Sequence, residues 1–424
     1  MKLIVLHKTK AACLAVCAIL VVATAIGIAI RASHADMAAV IAREENESYE
    51  AMMAAEGVPP DGEGQLPDDG TDAQSGPDGE AAPEDNPDGA APSASPEKKN
   101  YIKWVDFDIP YEALKKALDI DIKSAREGKR IDWVEMLAYL GTKYGGDFTR
   151  YKAKDMDAVV EKLNSGKTMA DLTADVQKYY PYYHEAYSAI LGEFVGDYKV
   201  QVEKDGVVSW QEKRGLKVFS PIARGYDFAH YEDFGNSRSY GYQRKHLGHD
   251  LMGAVGTPIV AVESGTIEVL GWNQYGGWRV GIRSFDQKRY YYYAHMRKNH
   301  PYNYTLKEGD VVKAGDVIGY LGMTGYSTKE NVNNINTPHL HFGLQLIFDE
   351  SQKDGVNQIW IDLYDIVKLL QENRSYVYKD EETKDYFRKY DYYEPLLEGR
   401  LEDPSIQPPP EETEEPAEDG NLQQ

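Results

Sequence analysis

Cysteine is almost missing from this chain. Cys13 and Cys17 both fall in the first 17 of 424 residues. The rest therefore has neither a disulfide framework nor a cysteine metal site. A basic stripe is also missing, which argues against a nucleic-acid partner. The formal charge of −22 does not describe a folded acidic surface either. Residues 36–99 hold 17 acidic and 3 basic residues, a balance of −14, and residues 401–424 hold 8 acidic and none basic. What lies between is left near neutral at −4. The charge thus belongs to solvated tails and not to an acidic binding face.

Long apolar runs are equally scarce, with one exception. Lys2, Lys8 and Lys10 precede an uncharged run from Ala11 to Ile30, closed by Arg31. Twenty such residues at about 1.5 Å each match a hydrocarbon core of about 30 Å. An uncleaved single-pass anchor is expected, with the basic flank in the cytoplasm and everything after Arg31 on the extracytoplasmic side. A cleavable signal ending at Ser33-His34-Ala35 is the alternative. Leu14-Ala15-Val16-Cys17 faintly resembles a lipidation box, but Val16 fits it poorly. From Gly57 to Pro96 the chain is Pro, Gly, Ala, Ser, Asp and Glu, too poor in apolar surface to offset its ordering entropy. It reads as an extended, self-repelling tether.

Apolar residues then recur at helical spacing over Tyr111–Glu127, Trp133–Lys143, Met156–Leu163 and Met169–Val195. This predicts a small all-α domain. Its tyrosine run, 179–183, reads as packing at a helix end, with stacking on a sugar or partner as the alternative. From Val207 the pattern changes to short β-branched and aromatic runs between glycine turns, among them Ile259–Val262, Thr266–Leu270 and Val311–Val312. An antiparallel β domain is expected there. A helix over Ile359–Leu370 and a partly helical Tyr376–Leu401 complete the expectation. The predicted organisation is multidomain: a membrane segment (1–35), an acidic linker (36–100), a helical domain (101–205), a mostly antiparallel β domain (206–350), a C-terminal helical extension (351–400) and an acidic tail (401–424).

Chemistry concentrates between His246 and Phe342. On a strand, residues two apart share a face, so His339 and His341 project together while Leu340 and Phe342 turn to the core. The same alternation places Tyr291, Tyr293 and His295 on one face. His246 and Asp250 lie four apart across Gly248 and converge if a turn starts the strand. Two imidazoles and a carboxylate form a zinc donor set with a fourth position open. Histidines beside such a site can serve as acid, base or oxyanion partner. Amide hydrolysis is the chemistry this predicts.

Residues 244–343 resemble the lysostaphin/LytM-type zinc metalloendopeptidases, which cleave peptide bonds in bacterial peptidoglycan. The resemblance rests on His246-Leu247-Gly248-His249-Asp250, Gly256-Thr257-Pro258, Tyr293-Ala294-His295, Gly322–Thr328 and Pro338-His339-Leu340-His341-Phe342. It implies one zinc held by His246, Asp250 and His341, with His295 and His339 as the catalytic histidines. It also implies a peptidoglycan peptide as substrate and a mostly antiparallel sheet with the site in a groove. Two departures are visible. His249 stands where the family usually has an aliphatic residue, and strand alternation turns it away from the site. Residues 329–337 form an insertion expected to alter which cross-link fits or to cover part of the groove. A scaffold in a division or sporulation complex, contacting an envelope protein through the helical domain, is the competing reading. A metal-binding β module without catalysis is a third.

Overall fold

The computed structural model describes residues 101–239, 243–354 and 357–405. The expected membrane segment, the acidic linker and most of the acidic tail lie outside them. Among the described residues no helix is long and apolar enough to cross a membrane.

The first three helices form where their apolar spacing places them, at Tyr111–Arg126, Trp133–Tyr144 and Ala153–Asn164. Asp132 caps the second by accepting from the amides of Val134 and Glu135, and Gly145 ends it with φ +68°. The predicted long helix from Met169 to Val195 is broken in two. Met169–Thr173 passes into a 3-10 turn, and a new helix runs over Tyr180–Leu191. Pro181 explains the break, since a residue without an N–H is at home in the first turn of a helix and disruptive in its interior.

Val195 does not end a helix but starts a strand. Val195–Lys204 pairs with Val207–Leu216 across Asp205-Gly206, both at positive φ. Asp-Gly is a strong local hairpin signal because both turn residues need that conformation. The 205/206 junction drawn from composition is therefore the tip of a hairpin. The C-terminal strand Tyr392–Tyr393 adds a third strand to it.

The main sheet has eight antiparallel strands, with Arg289–Ala294, His339–Leu346 and His249–Met252 adjacent near its middle. Its inner face carries Val280, Ile282, Tyr291, Tyr293, Leu340, Phe342 and Leu344, which join Leu114, Trp133 and Tyr187 of the helices in one hydrophobic cluster. The expected C-terminal helical extension is mostly not helical. Ile359–Trp360 is an edge strand beside Gln345–Leu346, and the helix there is only Tyr364–Leu370. Val377–Lys379 and Tyr386–Arg388 then form a hairpin. The tyrosines explain this, because Tyr392 is fully buried against Phe219 and Tyr198, a pleated-surface role and not a helical one.

One buried ion pair joins helices to sheet. Arg289, 0% exposed, donates to both oxygens of Glu263 at 2.8 and 3.0 Å and to the Ala189 carbonyl at 2.7 Å. Ala189 lies in the last turn of the Tyr180–Leu191 helix, where a cation also meets the negative end of the helix dipole. Tyr291 Oη donates to Glu263 at 2.6 Å. Removing one partner strands the other charge in the core. Arg289→Ala should therefore destabilise the protein by about 3–5 kcal/mol, read as a lower denaturation midpoint; a loss below about 1 kcal/mol would contradict this account.

Candidate metal centre

The strand His339–Leu346 lies between Arg289–Ala294 and His249–Met252, with His341 opposite Ala294 on one side and Asp250 on the other. Leu340 and Phe342 are buried in the core, as alternation requires. Asp250 and His341 are thus brought together by strand register, and His246 reaches them from the turn ahead of the strand. His246 Nε2, Asp250 Oδ1 and His341 Nδ1 lie 2.9–3.2 Å from one another. Ligand atoms arranged tetrahedrally around zinc, at bonds of about 2.0–2.1 Å, sit about 3.3 Å apart. The donor set and its spacing fit a divalent metal, and among the described residues this is the one group of three or more such side chains that does.

Other groups orient these ligands. His246 Nδ1 lies 3.1 Å from Asp233 Oδ2, which fixes the ring so that Nε2 faces the centre. Arg238 Nη2 donates to Asp233 Oδ2 and to Asp250 Oδ2, both at 2.9 Å, leaving Asp250 Oδ1 for the imidazoles. Neither Asp233 nor Arg238 carried a sequence signal, because Asp233 lies on a loop and Arg238 on the short strand Ser237–Ser239, both upstream of the motif. Gly248 provides room. A Cβ there would meet His341 Nε2 at 2.7 Å and the Phe342 carbonyl at 2.8 Å, and the second of these is backbone.

The remaining two histidines flank the ligands. His339 Nδ1 lies 2.8 Å from the Thr337 carbonyl, and its Nε2 is 3.7 Å from Asp250 Oδ1. His295 Nδ1 lies 2.9 Å from the Thr324 carbonyl, and its ring centre is 4.9 Å from that of His339. A carbonyl can only accept, so in both rings Nδ1 carries the hydrogen and Nε2 is the basic nitrogen. The predicted shared face of Tyr291, Tyr293 and His295 is not observed. Tyr291 and Tyr293 point into the core, whereas His295 has φ +61° and turns into the groove with Tyr292 and Ala294. The strand ends at Ala294, and the left-handed residue after it reverses the alternation. Gly325, at φ +127°, lets the Thr324-Gly325 backbone pass close enough to accept from His295, since a Cβ there would stand 2.4 Å from the Tyr275 carbonyl.

His249 faces away from the ligands, as alternation predicts. It is fully buried, with Nε2 2.9 Å from both Asp362 Oδ1 and the Leu363 amide. In the 329–337 insertion, Asn331 accepts from Trp278 Nε1, and Asn334 donates to the Tyr326 carbonyl. Ile335 packs on Tyr326, whose ring centre is 5.6 Å from that of His295. The insertion thus braces the wall behind His295, and none of its residues lines the cleft of about 520 Å³ itself.

The electrostatics follow from burial and mutual contact. Burial disfavours the His246 cation, but Asp250 and the hydrogen bonds to Asp233 and Asp250 outweigh it and push the imidazole up to about 9. Burial, helped by His246, pushes His341 down to about 4. Burial and the imidazoles of His339 and His341 hold His295 well below the usual histidine range, so it is neutral at neutral pH. Burial would raise Asp250, but His246 and His339 hold it well below the usual carboxylate range.

A metal needs the Nε2 lone pair of His246, so its binding must displace that proton. At pH 7 close to one proton should be released per metal bound, measurable by calorimetry in buffers of different ionisation enthalpy. Affinity should rise about tenfold per pH unit until His246 titrates and then level off. Binding without proton release would refute this assignment. Gly248→Ala should lower metal affinity by at least about tenfold by displacing His341, with the remaining fold intact by circular dichroism.

Comparison with known proteins agrees with this geometry. Residues 244–356 match Peptidase family M23. The L-Ala–D-Glu endopeptidase of Bacillus subtilis (strain 168) is 34% identical over 124 residues, which are 29% of this chain and 36% of that protein. Lysostaphin of Staphylococcus simulans is 42% identical over 98 residues, 23% of this chain and 17% of its own length. The chain therefore spans only about a third or less of these relatives. Among solved structures, the catalytic domain of lysostaphin from Staphylococcus simulans aligns with 33% of this chain and 92% of its own, at 32% identity and a TM-score of 0.26. With the matched segment containing all five groups of the centre, residues 244–356 are a Peptidase family M23 domain.

Proposed function

We propose that this protein is a zinc metalloendopeptidase that hydrolyses peptide bonds in peptidoglycan, in stem peptides or cross-links. It would be held at the cell membrane by the apolar run 11–30, with the catalytic domain on the extracytoplasmic side. The observation that carries this reading is the convergence of three metal donors beside two imidazoles whose Nδ1 atoms are both committed to carbonyls.

Zinc held by His246, Asp250 and His341 would supply a Lewis acid that polarises the scissile carbonyl and lowers the pKa of water to about 7. The chain's own groups do the rest. The backbone acceptors at Thr324 and Thr337 hold His295 and His339 in the tautomer with a basic Nε2. One of them takes the proton of the attacking water on Nε2 and later returns it to the leaving amine; the other donates to the developing oxyanion only as an imidazolium, with Nε2 protonated as well as Nδ1. The low proton affinity of His295 keeps it neutral and ready to accept. The relatives named L-Ala–D-Glu endopeptidase and lysostaphin support a peptide substrate of this kind.

The full chain, supplied with zinc, should release peptide fragments from purified peptidoglycan and stop with chelator, with products identified by mass spectrometry. His341→Ala should abolish release. His295→Ala and His339→Ala should each lower kcat by about 10²–10⁴ while metal stays bound. No release from walls of several cross-link chemistries by metal-loaded protein would sink the proposal. Full complementation in cells by His341→Ala would favour the scaffold reading.

A further inference from the structure

The floor of the cleft is the outer face of the main sheet, and its layout can be read from the strand registers. His341 stands opposite Ala294. On the other side of the Ala294 strand, Tyr293 stands opposite Val280. Arg279 is therefore next in register to Ala294 and occupies the same cross-strand row as His341. Two strand spacings, about 10 Å, separate them, and the intervening side chain is only a methyl group. Arg279, Ala294 and His341 all line the cleft.

The charge state of Arg279 sets it apart. Arg283, Arg289 and Arg388 each pair with a carboxylate. Arg279 has no carboxylate partner among the described residues, although it is half-buried and its Nε is buried without an acceptor. Of the other cations lining the cleft, Lys353 is engaged by Glu268 and Lys245 is exposed. Asp354, the acidic residue in the lining, makes no ion pair with Arg279. Holding a guanidinium partly out of water without a counter-charge is unfavourable, and its planar fork matches a carboxylate in two parallel hydrogen bonds. A chain whose net charge is −22 thus keeps an uncompensated cation in this cleft.

We propose that Arg279 is a specificity determinant that receives a free carboxylate of the substrate peptide. At about 3.3 Å per extended residue, that carboxylate falls within about three residues of the scissile bond. The preferred substrate is then an acidic peptide and not a neutral glycine-rich bridge. The proposal rests on the peptidase reading, and Ala294 is what keeps the path from Arg279 to the metal ligands open.

The test uses the full zinc-loaded chain and two synthetic peptides identical except for a carboxylate or carboxamide within three residues of the scissile bond, beside an oligoglycine. The acid should be cleaved with a kcat/KM about tenfold or more above that of the amide, the difference lying in KM. Arg279→Gln should remove that advantage and leave cleavage of the amide unchanged, and Arg279→Lys should restore part of it. Fluorescence anisotropy with both peptides N-methylated at the scissile bond reads binding without turnover. Charge-selective binding lost in Arg279→Gln, with no cleavage of the unmethylated pair, would uphold the carboxylate site and overturn the peptidase reading. Equal cleavage of acid and amide, or an equal loss on both in Arg279→Gln, would overturn the carboxylate site and leave the peptidase reading standing. Neither binding nor cleavage would overturn both.

Discussion

The strand His339–Leu346 works under a constraint that sets most of this structure: successive side chains must point to opposite faces. Leu340, Phe342 and Leu344 fill the core, and that burial leaves His339 and His341 no direction but the groove. A slip of one residue would put His339, His341, Gly343 and Gln345 in the core in place of Leu340, Phe342, Leu344 and Leu346, so the hydrophobic face specifies the register of the metal ligands. Antiparallel pairing then delivers Asp250 to one side of His341 and Ala294 to the other. Asp250, His341, the small Ala294 that keeps the floor open and Arg279 beyond it lie along one row of the sheet, and His246 joins them from the turn ahead of the strand.

A sheet that exposes one face as a cleft needs its other face held firmly. The helices provide this by sharing a single hydrophobic cluster with it, reinforced by Arg289 bound between Glu263 and the Ala189 carbonyl. Lys217, nearly buried, repeats the device by joining Glu193 after the last helix of that region to Glu394 near the C-terminus. Such pairs are costly to desolvate but more costly to break, so they tie the elements to one arrangement. The C-terminal strand Tyr392–Tyr393, laid against the Val195–Leu216 hairpin, extends the same bracing.

Around the centre, charges are arranged in opposition. Asp250 carries one oxygen toward the imidazoles and the other toward Arg238, and Asp233 steadies both Arg238 and His246. These contacts determine which nitrogen of each ring faces the metal position, and backbone carbonyls do the same for His295 and His339.

The sequence by itself determined the elements whose signal is local. The apolar period placed the helices from Tyr111 to Asn164, alternation aimed His339 and His341, and the order of five polar residues between His246 and His341 marked the centre. Local signals misled where a single residue overrides the period. Pro181 split a helix, Asp205-Gly206 made a hairpin across the boundary drawn between the helical and β regions, and the left-handed His295 reversed its strand's alternation. Only the tertiary structure decided what depends on residues far apart in the chain. It brought Asp233 and Arg238 to the ligands, placed the 329–337 insertion behind Tyr326, turned the tyrosine-rich C-terminus into strands and left Arg279 unpaired in the cleft. The physical reason is that these are matters of strand register, burial and available counter-charge. They arise between elements once the core has closed, and no spacing within one segment records them.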